Sequence, residues 1–263
     1  MRIAACSPYG FAQQETGLIL LLANYLKRIY PEVVQLRCNG VLSLCDRDSD
    51  SSWRRDMNTC FQCQGEQREL ARWSNLTLED LSRHLEPGEI ESTKRWIVSL
   101  RAEALMTAAW EGVPVFPLAA GTWQNRFETS RPDPANRSHE QMMRRFMLSA
   151  VRLLIAGKRF HASFAPDAFL VASGEDLLSR SLIAAAEGVA RPVTLFRWDV
   201  SRRAVLIRHP GTGAIHPCEL LLDNLTSLRA DPATWSEALL GIVDEILAFL
   251  GIVEPRAQLA LAR

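Results

Sequence analysis

The sequence has no excess of charge of either sign and no long apolar segment. Thirty Lys and Arg residues balance thirty Asp and Glu residues, so the formal net charge at pH 7 is zero. Proteins that bind nucleic acid usually carry a basic patch or stripe, and overall neutrality argues against that role. The longest apolar run, Gly17 to Ala23, is far shorter than the roughly 20 residues that span a bilayer. We therefore expect neither a nucleic-acid partner nor a membrane span.

A secretion signal is also missing from the N-terminus. The first eight residues, MRIAACSP, do not combine a basic start, an apolar core and a cleavage site. The sequence therefore predicts a cytoplasmic protein. Disulfides are rare in a reducing cytoplasm, so the clustering of four of the six cysteines within 26 residues needs another explanation.

What is present is the composition and pattern of an α/β protein. Hydrophobic residues make up 48% and charged residues 23%, which is ordinary for a globular chain. Ile3–Cys6 and Val33–Leu36 have the pattern of buried strands, and Glu15–Tyr30 between them has a wide apolar helical face. A strand–helix–strand unit of this length is typical of the parallel crossover in doubly wound sheets.

A second unit of the same kind follows in the C-terminal half. Asp167–Ser173 and Pro192–Phe196 are predicted strands, and Leu177–Glu187 is the helix between them. The other predicted elements are helices at Glu66–Trp73, Leu78–His84, Ile90–Trp110, His139–Phe160 and Ala233–Leu250, a strand or connector at Val113–Pro117, an exposed loop at Thr122–Ser138, and an edge hairpin formed by Ala204–Arg208 and Glu219–Leu222.

These elements predict a single Rossmann-like domain over residues 1–263, with a parallel sheet and helices on both of its faces. Within it we expect a Cys-rich metal loop at residues 38–63, a helical insertion at 64–112 and a C-terminal helix at 232–251. The segment 38–63 shows neither a helical nor a strand period. Loops of that length are uncommon in compact domains unless something ties them down or gives them a function.

Four of the six cysteines fall in this segment, at Cys38, Cys45, Cys60 and Cys63. The C-x-x-C element of the last pair lets two thiolates in one tight turn meet a single metal, and the first pair would supply the other two ligands. Zinc and an iron–sulfur cluster both use four thiolates, and the spacing does not choose between them. The alternatives are a redox C-x-x-C pair with two bystanders, or four unrelated thiols.

The order of these cysteines and of the residues beside them resembles the pattern of a known protein family. Leu36-Arg-Cys-Asn-Gly40, followed by Cys45-Asp46 and the C-x-x-C pair, is similar to a cysteine pattern of bacterial surface-polysaccharide glycosyltransferase-like proteins of the GT-B type. Residues 166–174, with Arg180, Gly188 and Phe196-Arg197, resemble the strand–Asn-Gly–helix segment in the N-terminal half of those proteins. The likeness covers roughly residues 1–200. It departs from the pattern at two positions, Asn39 in place of Asp and Ser173 in place of Asn.

The resemblance implies a role different from that of a complete transferase. A two-domain transferase of this architecture keeps its nucleotide-sugar site mainly in a C-terminal Rossmann domain, and this chain corresponds to the N-terminal half. The resemblance thus implies an accessory, acceptor-binding or partnered role in polysaccharide biosynthesis. A partner protein would supply the second domain, and a nucleotide sugar or glycan would be the ligand.

Ligand residues are expected at the carboxyl ends of the strands, where open parallel sheets bind their ligands. The turn after the first strand would bring backbone amides to a helix N-terminus, although a simple tight turn is the alternative. A cation and a carboxylate follow the strand at Pro192–Phe196, either to grip a ligand or to pair with each other. The candidates are Gly10, Glu15, Asn39, Gly40, Ser173, Gly174, Arg197 and Asp199, and the resemblance adds Arg180.

Three functions are compatible with these patterns. The first is the glycosyltransferase-like or accessory protein with a structural metal site. The second is an iron–sulfur or zinc enzyme that uses the cysteine-bound centre, and the third is a metal-stabilised scaffold for another protein. The sequence contains no nucleophile elbow and no zinc-protease helix motif, so whether the chain is an enzyme stays open.

Overall fold

The computed structural model of this chain describes residues 1–7, 9, 14–46, 56–129, 131–133, 135–172, 174–191, 193–199, 204–208 and 215–218. In these ranges the main sheet has seven strands, which are β1 (Arg2–Cys6), β2 (Glu32–Arg37), β3 (Thr77–Asp80), β6 (Ala168–Ala172), β7 (Val193–Asp199), β8 (Ala204–Arg208) and β9 (Ile215–Cys218). Their order across the sheet is β3-β2-β1-β6-β7-β8-β9. The first five strands in this order pair in parallel, and β8 and β9 add an antiparallel edge.

Helices surround this sheet, and the predicted Rossmann-like α/β fold is confirmed. A separate two-stranded ribbon consists of β4 (Ala109–Trp110) and β5 (Val113–Pro114). No helix in the described ranges is long and apolar enough to cross a membrane. The α-helices are α1 (Gln14–Lys27), α2 (Met57–Trp73), α3 (Pro87–Ser99), α4 (Phe116–Phe127), α5 (Arg137–Ser163) and α6 (Leu177–Glu187), with short 3-10 turns at Leu81–His84 and Ala102–Ala104.

The two faces of the sheet are covered by different helices because neighbouring residues of a strand point to opposite sides. Ala4 and Cys6 of β1, together with Phe169 of β6, belong to a core that also contains the buried faces of α4, α5 and α6. Ile3 and Ala5 are equally buried but point the other way, toward the side where α1 packs on β1 and β6. All five residues of β6 are buried, as expected for a central parallel strand.

The order of the strands defines where a ligand edge lies. The chain runs outward from β1 to β2 and β3, and then returns to the other side of β1 to form β6 and β7. The switch point is therefore between β1 and β6, and clefts in open α/β sheets form at the carboxyl ends of the two strands that flank such a point.

Several sequence-based element predictions are wrong. Leu78–His84 is not a helix: residues 77–80 form β3, paired in parallel with β2, and a 3-10 turn follows. The predicted helix Ile90–Trp110 ends at Ser99, and the polar segment Thr122–Ser138 begins inside α4. In this last case burial overrides local composition, since Thr122 is only 4% exposed and Trp123 only 1%.

The third strand of the parallel sheet is also not where the pattern placed it. Val113 and Pro114 lie in the small ribbon, and β3 comes from within residues 64–112, which were expected to be helical. The edge hairpin forms between β8 and β9, so its second strand is Ile215–Cys218. The expected strand at Glu219–Leu222 and the C-terminal helix at 232–251 lie outside the described residues.

Candidate metal centre and ligand edge

The turn after β2 wraps backbone N–H groups around the sulfur of Cys38. Asn39 and Gly40 both have positive φ angles, 44° and 92°, so the chain reverses immediately after the cysteine. Burial raises the pKa of the Cys38 thiol. The N–H groups of Gly40, Val41 and Leu42 donate hydrogen bonds to its sulfur, and these have a smaller effect that lowers the pKa. Hydrogen bonds of this kind stabilise a thiolate bound to a metal or cluster.

Cys60 and Cys63 lie on α2, and the prediction that they sit in an irregular tight turn is wrong. The helix begins behind Asp56, whose carboxylate accepts hydrogen bonds from the N–H groups of Asn58 and Thr59 at 2.9 and 3.2 Å. Residues three and four apart share one face of a helix. Cys60, Cys63, Gln64 and Gln67 accordingly all line the same cavity, and Gln64 Nε2 lies 3.4 Å from the Cys60 sulfur.

That cavity collects all four cysteines of the quartet. It measures about 30 Å³, and Cys38 and Cys45 line it from the chain after β2 while Cys60 and Cys63 line it from α2. None of the four is joined in a disulfide. Within the described ranges, however, no three metal-binding side chains lie close enough together to hold a single ion. The quartet therefore surrounds a space and does not form a closed tetrahedron.

A buried ion pair and an amide hold α2 against the sheet. Arg37 Nε donates to Asp80 Oδ1 at 2.5 Å, with only 8% and 11% of the two side chains exposed, and thereby joins the ends of β2 and β3. The Arg37 guanidinium also lies 3.5 Å from the Gln64 carbonyl oxygen. One turn further along α2, Gln67 Nε2 donates to the Ser7 carbonyl oxygen at 3.3 Å. The face of α2 that carries the cysteines is thus fixed to the ends of three parallel strands.

The chain around Cys45 is fixed by a serine that no local pattern reveals. Ser149 of α5 is fully buried, and its hydroxyl oxygen accepts hydrogen bonds from the N–H groups of Ser43 and Leu44 at 2.9 and 3.1 Å. The same hydroxyl lies 2.9 Å from the Arg145 carbonyl oxygen. A single side chain on α5 therefore holds the irregular segment between Cys38 and Cys45.

Asp46, next to Cys45, joins three elements at the switch point. Its Oδ2 atom accepts hydrogen bonds from the Tyr9 hydroxyl at 2.6 Å, the Thr122 hydroxyl at 2.8 Å and the Leu177 N–H at 3.2 Å. Its Oδ1 atom is buried with no hydrogen-bond partner among the described residues. Burial raises the pKa of the Asp46 carboxyl, and the hydrogen bonds from Tyr9 and Thr122 act in the opposite direction.

A second acid lies beside Asp46. Asp176 caps α6, where its carboxylate accepts hydrogen bonds from the Ser179 N–H at 2.8 Å and the Ser179 hydroxyl at 2.6 Å. Burial, followed by repulsion from Asp46, raises the pKa of Asp176 to about 6. Two carboxyl groups with raised pKa values at a sheet switch point form an arrangement that is common in functional sites.

The other ligand candidates do not lie together. Asn39 and Gly40 line the cysteine cavity, and Asn39 Nδ2 also donates to the Ser82 hydroxyl at 3.1 Å. Gly174, with φ of 72°, and Arg180 line a different cleft beside α6. Gly10, Ser173 and the side chain of Glu15 lie outside the described residues.

The sequence predicts that Arg197 and Asp199 follow a strand, and this prediction is wrong. β7 continues through both residues, and they pair with Leu206 and Ala204 of the antiparallel β8. Because the strand pairs on both sides, its carboxyl end is later in the chain than the sequence pattern indicated. The orientation of these two side chains is not part of the described structure.

In comparisons with known proteins, no family model, no curated protein and no solved structure significantly matches this chain.

Proposed function

We propose that this protein is an iron–sulfur protein in which Cys38, Cys45, Cys60 and Cys63 hold one cluster beside the ligand edge of a Rossmann-like sheet. The observation that carries the proposal is that all four cysteines line one cavity although they come from two separate segments. Accidental thiols have no reason to converge in this way. The acid pair of Asp46 and Asp176 lies at the same edge, and raised carboxyl pKa values of this kind support a functional role for it.

The separation of the thiols favours a cluster over a single zinc ion. Zinc–sulfur bonds of about 2.3 Å place tetrahedral thiolates roughly 3.8 Å apart, in mutual contact with no cavity between them. Here the thiols surround about 30 Å³, and one water molecule needs only about 10–15 Å³. A cluster holds its four cysteines further apart than an ion does, and thiolates are its usual ligands.

The residues of this chain would perform distinct tasks around that centre. The N–H groups of Gly40, Val41 and Leu42 would offset the charge on the Cys38 thiolate, and Gln64 would act in the same way on Cys60. A bound cluster would supply electron transfer or Lewis-acid chemistry at the ligand edge. The role in polysaccharide biosynthesis that the resemblance implies, with a nucleotide sugar or glycan and a partner protein, stays a separate proposal.

The test is elemental analysis of protein purified without oxygen. We expect brown protein that contains iron and acid-labile sulfide. Each of the variants Cys38→Ser, Cys45→Ser, Cys60→Ser and Cys63→Ser should lose most of that iron, because one of four thiolate ligands is gone. The matched control is Cys218→Ser, which changes a cysteine in β9 outside the quartet and should retain the iron.

Two results would contradict the proposal in different ways. Colourless protein with one zinc per chain would replace the cluster by a structural zinc site. Unchanged iron in Cys60→Ser would show that the quartet is not the ligand set. Far-ultraviolet circular dichroism of each variant separates loss of the centre from loss of the fold.

A further inference from the structure

A second cavity lies on the other side of the switch point, between α6 and the start of α4. This cleft has a volume of about 360 Å³, and its lining includes Gly174, which follows β6, and Leu195 of β7. It falls within the size range of small-molecule sites, which is about 300–1,000 Å³. It contains none of the four quartet cysteines, so it is a separate site.

Apolar side chains line the cleft together with one cation and one carboxylate. Leu118 of α4, Ile183 of α6 and Leu195 of β7 supply apolar surface, and Arg180 and Glu187 are the charged side chains among the lining residues. Arg180, Ile183, Ala184 and Glu187 are spaced so that they share one face of α6. Seven residues of helix separate the two charged positions by about 10 Å.

Arg180 is held in place with most of its donors unused. One guanidinium nitrogen, Nη1, donates to the Pro117 carbonyl oxygen at 3.1 Å, and the side chain has no other hydrogen-bond partner among the described residues. A guanidinium group has five N–H donors in a planar fork, which suits a carboxylate or phosphate. The first contact therefore orients the fork and leaves its remaining edge for an anion.

Gly121 makes this placement of Arg180 possible. A Cβ atom at Gly121 would lie 2.5 Å from the Glu175 carbonyl oxygen and 3.5 Å from the guanidinium carbon of Arg180. Any side chain there would push α4 away from the loop that precedes α6. The close approach of the two segments builds the end of the cleft at which the cation sits.

We propose that this cleft binds a small amphipathic anion, a carboxylate or phosphate monoester with an apolar body, whose charged group is held by Arg180. The apolar body would lie along Ile183 and Leu195, and a hydroxyl or amino group at its far end would face Glu187. The site goes beyond the proposed iron–sulfur centre, because none of its residues contributes to the cysteine cavity.

The experiment is a fluorescence titration of the complete protein with anilinonaphthalene sulfonate, an apolar fluorophore that carries one anionic group. We expect saturable binding that Arg180→Gln weakens by about tenfold or more, since a charge-assisted hydrogen bond is lost. Ala184→Phe should abolish binding by filling the cleft. The matched control is Arg72→Gln on α2, whose guanidinium is exposed and paired with Glu69, and which should bind normally.

Competition then identifies the chemistry of the charged group. Octanoate and octyl phosphate should displace the fluorophore, and octylamine should not. The anion that displaces it at the lower concentration shows whether the site prefers a carboxylate or a phosphate monoester. Equal affinities of Arg180→Gln and Arg72→Gln, normal binding by Ala184→Phe, or displacement by octylamine would each overturn the proposal. Iron content measured on the same samples reports separately on the cysteine centre.

Discussion

At the scale of single residues, the conformation of Gly40 decides where three backbone N–H groups point. Its φ angle of 92° is one that residues with a Cβ atom rarely adopt. With Asn39 it reverses the chain so that consecutive N–H groups converge on the sulfur of Cys38. A change at Gly40 should therefore disturb the cysteine site through the backbone, and not only through the side chain that it adds.

We predict that Gly40→Ala lowers the free energy of unfolding by about 1–2 kcal/mol and also reduces iron retention. Gly112→Ala is the matched control, because Gly112 also has a positive φ angle, 81°, with nothing near its missing Cβ. It should cost similar stability in urea denaturation and leave the iron content unchanged. Equal iron retention in the two variants would show that the turn at Gly40 does not support the site.

Residues with a local signature could be predicted from the sequence, and those defined by distant contacts could not. The quartet was found because four cysteines within one short segment are unusual, and all four do line one cavity. Asp46 and Thr122 were missed as site residues, because their importance rests on contacts such as the one between Asp46 and Leu177, 131 residues apart. Ser149 was missed for the same reason.

At the scale of elements, α5 and α6 approach each other at Gly157. A Cβ atom there would lie 2.8 Å from the Cβ of Ala185 and 2.9 Å from Leu182 Cδ2. Both neighbours are buried, so neither can yield easily. The glycine therefore sets how closely the two helices pack on their common face of the sheet.

We predict opposite effects for two glycine-to-alanine changes inside helices. Gly157→Ala should destabilise the protein by up to about 2 kcal/mol, because a clash costing about 1–3 kcal/mol exceeds the gain in helix propensity. Gly65→Ala in α2, where nothing lies within 4 Å of the missing Cβ, should stabilise it by about 0.5–1 kcal/mol. Urea midpoints measure both, and a stabilised Gly157→Ala would show that the helices can separate.

Elements with a clear period were predicted well, and elements that depend on pairing were not. The helix at Leu177–Glu187 was predicted with its observed bounds. Leu78–His84 was predicted as a helix, but the pairing of Thr77–Asp80 with β2 overrides that local preference. The face of α2 with Cys60, Cys63, Gln64 and Gln67 has a helical spacing that would have revealed the helix.

At the scale of the whole molecule, the fold was predictable because its two strand–helix–strand units are local. The crossover from β3 back to β6 was not, since it depends on which strand pairs with β1. That crossover places Asp46 and Asp176, which are far apart in sequence, at one buried edge. The pH dependence of stability should reflect this placement.

We predict that the contribution of Asp176 to the free energy of unfolding decreases by about 3 kcal/mol as pH rises from about 4 to about 6. Its pKa is raised to about 6 in the folded protein, so the folded state binds more protons than the unfolded state above about pH 4. The stability contributed by the protonated form is fully present below about pH 4 and is lost as pH rises from there through 6. Burial lowers the pKa of His161 to about 4, which shifts stability in the opposite direction over the same interval. Urea denaturation at several pH values therefore has to compare the original protein with a variant in which residue 176 does not ionise.

Asp176→Asn provides the comparison for this slope. Asparagine keeps an oxygen that can accept the Ser179 N–H at the helix start, but it does not titrate. The difference in stability between the variant and the original protein should therefore grow with pH between about 4 and 7. A difference that stays constant over this range would contradict the assignment.

The oxygen Oδ2 of Asp46 connects the two halves of the ligand edge. It is shared by the turn after β1, by α4 and by the start of α6, and its own backbone continues directly from Cys45. A molecule that repositioned α4 or α6 would strain this junction, and so would a change of charge at the neighbouring thiolates. By thermodynamic reciprocity, each event would alter the equilibrium of the other by the same factor. The contacts of this one carboxylate join the segment that carries Cys45 to α4 and α6, the two helices that line the cleft.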